Sequence, residues 1–211
     1  MKIAAIIPVK QFELSKTRLD LTRNQKIVLT ELMLKHTILN LKKCNSISTI
    51  VTISQDERVE RISKYFGIKF IFSKEKGVNF AIMVGDDYCK QNMVKSNIRV
   101  PIDLVFLNPF ELELLLVEAR KHQKCSIIVP SMRMDGTNLL LRHPFNLFET
   151  SYDNNSYFNH ILSSKNSSAQ TIIIRSNNLS EDLDTMDDFN SIRANPINKL
   201  SQLISNLKNV I

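Results

Sequence analysis

Residues 8–19, PVKQFELSKTRL, follow the apolar run IAAII and carry Lys10, Lys16 and Arg18, with the hydroxyls of Ser15 and Thr17 among them. A turn of this make-up at the carboxyl end of a buried strand offers converging donors for phosphate oxygens. Arginine supplies a planar fork and lysine a mobile point charge, and both suit a triphosphate. A basic turn facing only solvent has the same composition. No Walker A pattern occurs in the chain, which excludes a P-loop.

Acidic residues gather at two other places. Asp103 follows the run NIRVPI (97–102), and EDLDTMDD (181–188) follows the run QTIIIR (170–175) after a short polar link. In extended chain alternate side chains share a face, so Asp182 and Asp184 point together while Leu183 turns toward the core. With Asp103 beside them the carboxylates repel unless a cation lies between. Magnesium, a hard ion that takes one or two carboxylates together with substrate phosphates, has the right chemistry. The alternative is an acidic cap, with Asp184 or Thr185 starting a helix over 186–194.

Three further polar groups lie near expected strand ends. Gly77 and Asn79, in GVN, open a helix after the third strand. Asp135, Gly136, Thr137 and Asn138 follow the strand CSIIVP. Gly136 would let backbone approach a ligand, and Thr137 and Asn138 add short hydrogen-bonding groups, although DGTN is also an ordinary turn. YDNNSYFNH (152–160) reads as the start of a helix capped by Asn155 or Ser156. No nucleophile is paired with His160, which makes a structural role the simpler one.

The elements that must position these residues follow from hydrophobic patterning. Short β-branched runs at 2–7, 48–53, 68–72, 97–102, 125–130 and 170–175 alternate with segments of helical period. Residues 22–43 predict a helix with Val28, Leu32 and Leu39 on one stripe, Leu29 and Met33 beside them, and a capping box from Thr22 and Gln25. Residues 55–66 predict a second, with Ser54 as cap and Gly67 as stop. SSKNSSAQ (163–170) reads as a surface loop. Leu200, Leu203, Ile204 and Leu207 mark an amphipathic C-terminal helix. Strands alternating with helices predict a three-layer α/β/α fold with a mainly parallel, mixed sheet, in one domain over 1–211.

Composition sets the outer limits. The chain has 211 residues, 43% hydrophobic and 23% charged, as a globular domain requires. No apolar run nears the roughly 18 residues of a membrane span, so no membrane partner is expected. Cys44, Cys89 and Cys125, odd in number and far apart, suit buried thiols in the reducing cytoplasm rather than disulfides. The net charge of +7 suits nucleic acid, an acidic surface or a polyphosphate substrate, but a lysine-, isoleucine- and asparagine-rich composition can spread it over the surface without any partner, so charge alone decides nothing. A nucleic-acid surface would not gather three aspartates at its centre, so no nucleic-acid partner is expected.

In order, the segments IIPVK with SKTRL, GVN, VPIDL, DGTNLLL, SYDNNSYFNH and DLDTMDDF resemble the 2-phospho-L-lactate guanylyltransferase family, CofC-type enzymes of the MobA-like, nucleotide-diphospho-sugar transferase superfamily. The likeness runs from residue 3 to about 189. It implies transfer of a guanylyl group from GTP to a phosphorylated three-carbon acid, with release of pyrophosphate, in coenzyme F-420 biosynthesis. The acid would be 2-phospho-L-lactate, phosphoenolpyruvate or a glycerate phosphate.

Carried onto this chain, the resemblance implies Lys10, Lys16 and Arg18 at the triphosphate. It places Gly77 and Asn79 near the guanosine, Asp103, Asp182 and Asp184 at magnesium, and Thr137 and Ser156 at the acid. It also implies a homodimer. Related nucleotidyltransferases use a sugar phosphate or the molybdenum cofactor, but carry a glycine-rich loop after the first strand, which PVKQFELSKTRL lacks. A non-catalytic nucleotide-binding relative would have no need of all three aspartates. The chain departs from the family in reading DLVFL, with Val105, where DLPLL is usual. It also has Asp153 and Asn155 where glycines are usual.

Overall fold

β1 (Ile3–Pro8) is buried along nearly its whole length, and its side chains alternate between two cores. Ile3, Ala5 and Ile7 enter the larger core, Ala4 and Ile6 the smaller. A strand covered on both faces must divide by parity in this way, which is why IAAII is apolar throughout. The computed structural model describes residues 2–74 and 77–206; Leu207, expected on the last helix, lies outside them.

After β1 come a 3₁₀ turn (Phe12–Leu14), α1 (Arg23–Leu41), β2 (Ile47–Ser54), α2 (Glu57–Tyr65), β3 (Lys69–Phe72), α3 (Val78–Gln91) and β4 (Ser96–Arg99). They are followed by α4 (Pro109–Ala119), β5 (Cys125–Pro130), β6 (Thr137–His143), α5 (Ser156–Asn166), β7 (Gln170–Ile173), α6 (Asn177–Ser180), α7 (Met186–Ala194) and α8 (Lys199–Ser205). The strands form one sheet in the order β3-β2-β1-β4-β6-β5-β7. Among the described residues only β6 runs against its neighbours, β4 and β5; the other pairs are parallel. This is the expected mixed, mainly parallel α/β/α sandwich. α1, α2, α4, α7 and α8 supply the larger core and α3 the smaller. On the α3 side, a Cβ on Gly85 would stand 2.9 Å from Cγ2 of Ile6, so α3 can lie this close to β1 only with glycine there.

Several local expectations need correcting. Leu29, Met33, Leu34, Ile38 and Leu41 form the buried stripe of α1, whereas Val28 and Leu39 are exposed, because the core-facing rows lie one position away from those expected. The Thr22–Gln25 capping box is present. α2 is capped by Asp56, whose carboxylate accepts from the Arg58 amide, while Ser54 Oγ accepts from the Asp56 amide. Gly67, at φ +63°, ends it as expected. β4 stops at Arg99 and β7 at Ile173, earlier than the apolar runs suggest. Residues 163–166 are not loop but the last turn of α5, where Ser164 is wholly buried and bonded to Ser126 and Thr171. The run TNLLLRH, read only as sequence after a turn, is the antiparallel strand β6.

Candidate active site

A cavity of about 690 Å³ opens at the carboxyl ends of β1, β2, β3 and β4. Three groups line it: the loop 8–18, the strand and helix ends around Ser54, Ser73 and Gly77, and Arg99 with Asp103 and Asp184. Ligands of open α/β sheets bind at this edge because the helices that follow the strands leave their N-termini and loops there.

The loop is tied down from behind. The Phe12 amide donates to Asp56 (2.9 Å), and Arg58 bridges Asp56 and Glu13 while its guanidinium stacks on the Phe12 ring at 5.0 Å. Lys10, Thr17 and Arg18 are exposed at the mouth. Lys16 is different. It has a φ of +51°, an uncommon conformation for a side-chain-bearing residue, which costs on the order of 1 kcal/mol and is found chiefly where surrounding structure enforces it. Its side chain is 5% exposed, and Nζ donates to Asp103 Oδ2 at 2.8 Å and to Asp184 Oδ1 at 2.9 Å. Burial opposes its charge, but the two carboxylates outweigh that and raise its pKa above the ordinary lysine value.

The chain brings the aspartates together by backbone contact. The Leu183 amide donates to the Asp103 carbonyl, and the Leu183 side chain is wholly buried, so Asp182 and Asp184 flank an anchored residue. Thr185, in a capping box with Asp188, caps α7. That choice resolves the capping alternative and leaves the Asp184 carboxylate to Lys16. Burial would raise Asp103, but Lys16 and, less directly, Arg99 hold its carboxyl below the usual range. Asp182 goes the other way: burial, Asp103 and Asp184 push it up to about 6. Among the described residues no three acidic, histidine or cysteine side chains form a preorganised metal centre, and the cation between Asp103 and Asp184 is the Lys16 ammonium. The all-carboxylate donor set with its mutual repulsion nevertheless fits magnesium, which needs only one or two protein carboxylates.

The remaining sequence candidates lie outside the cavity lining. Asn79 accepts from the Tyr152 amide and donates to Asp153 (both 2.9 Å), fastening the segment before α5 to the start of α3. Asn154 and Asn155 both have positive φ, a conformation that asparagine adopts more readily than most side-chain-bearing residues. Val105 is buried in the larger core. Asp135 and Gly136 close a turn on Ser131, through bonds of 2.9 and 3.0 Å. Asn138 donates to the Ser180 carbonyl at 2.8 Å.

Thr137 and Ser156 meet in a buried network: the Thr137 amide donates to Ser156 Oγ, and Thr137 Oγ1 lies 3.0 Å from His160 Nδ1. The Ser151 amide donates to His160 Nε2, so the ring is neutral, with its proton on Nδ1 directed at Thr137. Burial, with Arg142 and Arg99 nearby, lowers His160 to about 3. The unfolded chain therefore takes up a proton below pH 6.5 that the folded chain refuses until about pH 3, and stability falls as pH drops through that window. The expected loss from this group is about 2 kcal/mol between pH 7 and pH 5, seen as a lower urea midpoint that His160→Asn flattens.

Arg99, Ser73 and Asp56 were missed at the sequence level. Asp56 and Ser73 gave no signal in the sequence, but an arginine four residues before Asp103 in an otherwise apolar run did. Ser73 Oγ is buried and has no partner among the described residues. A second, more open hollow of about 700 Å³, beside Cys89, Met93, His143 and Phe145, lies at the opposite end of the sheet and has no carboxylate among the described residues that line it. The three cysteines are buried and unpaired, and burial pushes their thiols up to about 11 or 12, which leaves them poor nucleophiles.

Residues 3–200 match the family described as "Guanylyl transferase CofC like". A 2-phospho-L-lactate guanylyltransferase of Methanosphaera stadtmanae is 30% identical over 90% of this chain and 83% of its own length. A phosphoenolpyruvate guanylyltransferase of Conexibacter woesei is 27% identical over 92% and 88%. Among solved structures, a candidate nucleotide-diphospho-sugar transferase from Desulfovibrio desulfuricans G20 superposes with a TM-score of 0.78 at 12% identity, covering 97% of this chain and 96% of that one. The shared fold is thus of the nucleotide-diphospho-sugar transferase type.

Proposed function

Because the chain belongs to the CofC-like guanylyl transferase family, we propose that its cavity transfers the guanylyl group of GTP to a phosphorylated three-carbon acid: 2-phospho-L-lactate, phosphoenolpyruvate or a glycerate phosphate. The observation that carries this reading is the Lys16 ammonium held between Asp103 and Asp184 inside a cavity with Lys10 and Arg18 at its mouth. An acceptor phosphate oxygen attacks the α-phosphorus of GTP, and the bond from that phosphorus to the β-bridging oxygen breaks. The electron pair leaves with pyrophosphate. No general base is required, since a phosphate monoester is largely dianionic at neutral pH.

Lys16 meets the charge that spreads over the α-phosphoryl oxygens, and its two carboxylate partners fix where its ammonium sits. Lys10 and Arg18 take the departing pyrophosphate. The base lies toward Ser73, Gly77, Val78 and Ala81, where a partnerless hydroxyl and small apolar groups can receive a purine edge and face. Asp103, Asp182 and Asp184 would hold magnesium, which would supply neutralisation of the substrates' negative charge. Asn79, Thr137 and Ser156 shape the acceptor side from behind, through the 151–160 segment. The whole chain acts as one nucleotidyltransferase domain in the cytoplasm, a placement supported by its buried free thiols.

Pyrophosphate release tests the reading. GTP, ATP and CTP are crossed with the three acids in the presence of magnesium. Release with GTP that depends on one of the acids is the expected result. Release that ignores the acid, or that follows CTP, would refute it.

A further inference from the structure

Two arginines sit on adjacent central strands, and the fold treats them differently. Arg142 on β6 is wholly buried and neutralised: Nη2 donates to Asp86 at 2.6 Å and Nη1 to the Phe148 carbonyl at 2.7 Å. Arg99, the last residue of β4, lines the cavity beside Asp103 and has no ion-pair partner among the described residues. Its Nη1 donates to the carbonyls of Thr137 (3.1 Å) and Asn138 (2.8 Å), and its guanidinium packs on the Tyr152 ring at 4.8 Å. Nε is buried and makes no hydrogen bond among the described residues.

A guanidinium held at one corner by two carbonyls and stacked on a ring has lost its rotamer freedom already. What it lacks is an acceptor for the Nε–Nη2 edge, the edge that takes a carboxylate through two parallel hydrogen bonds. A half-buried cation with an orphaned N–H is costly as it stands, and an incoming anion removes that cost. The proposed acceptor brings two anionic groups. Its phosphate must face the nucleotide, and its carboxylate then needs a cation of its own, close to Asp103 and Asp184 that would otherwise repel it.

Resting on the guanylyl-transfer reading above, we propose that Arg99 binds the carboxylate of the acceptor on its Nε–Nη2 edge and thereby selects phosphorylated acids over phosphate esters that lack a carboxylate.

The test pairs each acid with the same ester lacking the carboxylate: 2-phospho-L-lactate with isopropyl phosphate, and 3-phospho-D-glycerate with glycerol 3-phosphate. Wild-type protein with GTP should prefer the acid by at least about tenfold in kcat/KM. Arg99→Lys and Arg99→Gln should lower kcat/KM for the acid about 10- to 100-fold and leave the ester within about threefold, so that the preference collapses while KM for GTP stays put. A strut that merely braces β6 would lower both substrates equally, and an unchanged ratio overturns the proposal. Equal use of acid and ester by wild type overturns it even if neither variant folds. Pyrophosphate release without discrimination removes this inference alone, whereas no release with any acid removes the functional reading and this inference with it.

Discussion

Lys16→Ala should lower kcat for guanylyl transfer by about 100- to 1,000-fold, the loss seen when one preorganised donor to transition-state charge is removed. The ammonium is nearly enclosed and held at hydrogen-bond distance by two carboxylates, so its position is fixed before substrate arrives. Asp103 and Asp184 would also be left facing each other, and the melting temperature should fall. Those two consequences can be separated, because Lys16 has a positive φ. Glycine adopts that conformation freely, so Lys16→Gly should be more stable than Lys16→Ala by about 1 kcal/mol. It should be just as slow. If the glycine variant recovers turnover as well as stability, Lys16 serves the loop and not the chemistry.

Asp103→Asn should cost several kcal/mol of transition-state stabilisation, about 1,000-fold in turnover, and should raise the magnesium concentration needed for half-maximal rate. The amide is isosteric and Lys16 retains Asp184, so the fold should survive with a modest drop in melting temperature. Asp184→Asn should behave alike, since its carboxylate is not spent on capping α7, a task Thr185 and Asp188 perform. An Asp103→Asn protein with full activity and an unaltered magnesium dependence would remove that carboxylate from the site, leaving Lys16 as a purely structural counter-ion.

The two predictions join residues that are far apart in sequence, and this separation marks how much could be read from the chain alone. Local signals carried well. The parity of β1, the Thr22–Gln25 box, the glycine stop after α2, the start of α3 at Gly77 and the span of α7 all follow from side chains within a few positions of one another. The ordered segments of the family resemblance were likewise legible, as was the basic loop. Errors arose where a local pattern admits two solutions. TNLLLRH can be a strand or a buried helical segment, and only pairing with β4 and β5 makes it β6, antiparallel. The stripe of α1 depends on which row meets the sheet.

The sequence by itself determined that this is a layered α/β chain with cations after the first strand and carboxylates after two others, because composition, period and capping are properties of neighbours along the backbone. The tertiary structure alone decided that Lys16 lies between Asp103 and Asp184, across separations of 87 and 168 residues. It alone showed that Asn79 holds the 152–153 segment, and that Arg142 has a counter-ion while Arg99 has none among the described residues. Charge pairing acts through space over a few ångströms, and which groups come that close is fixed only when the sheet has closed and its loops have been brought to one edge.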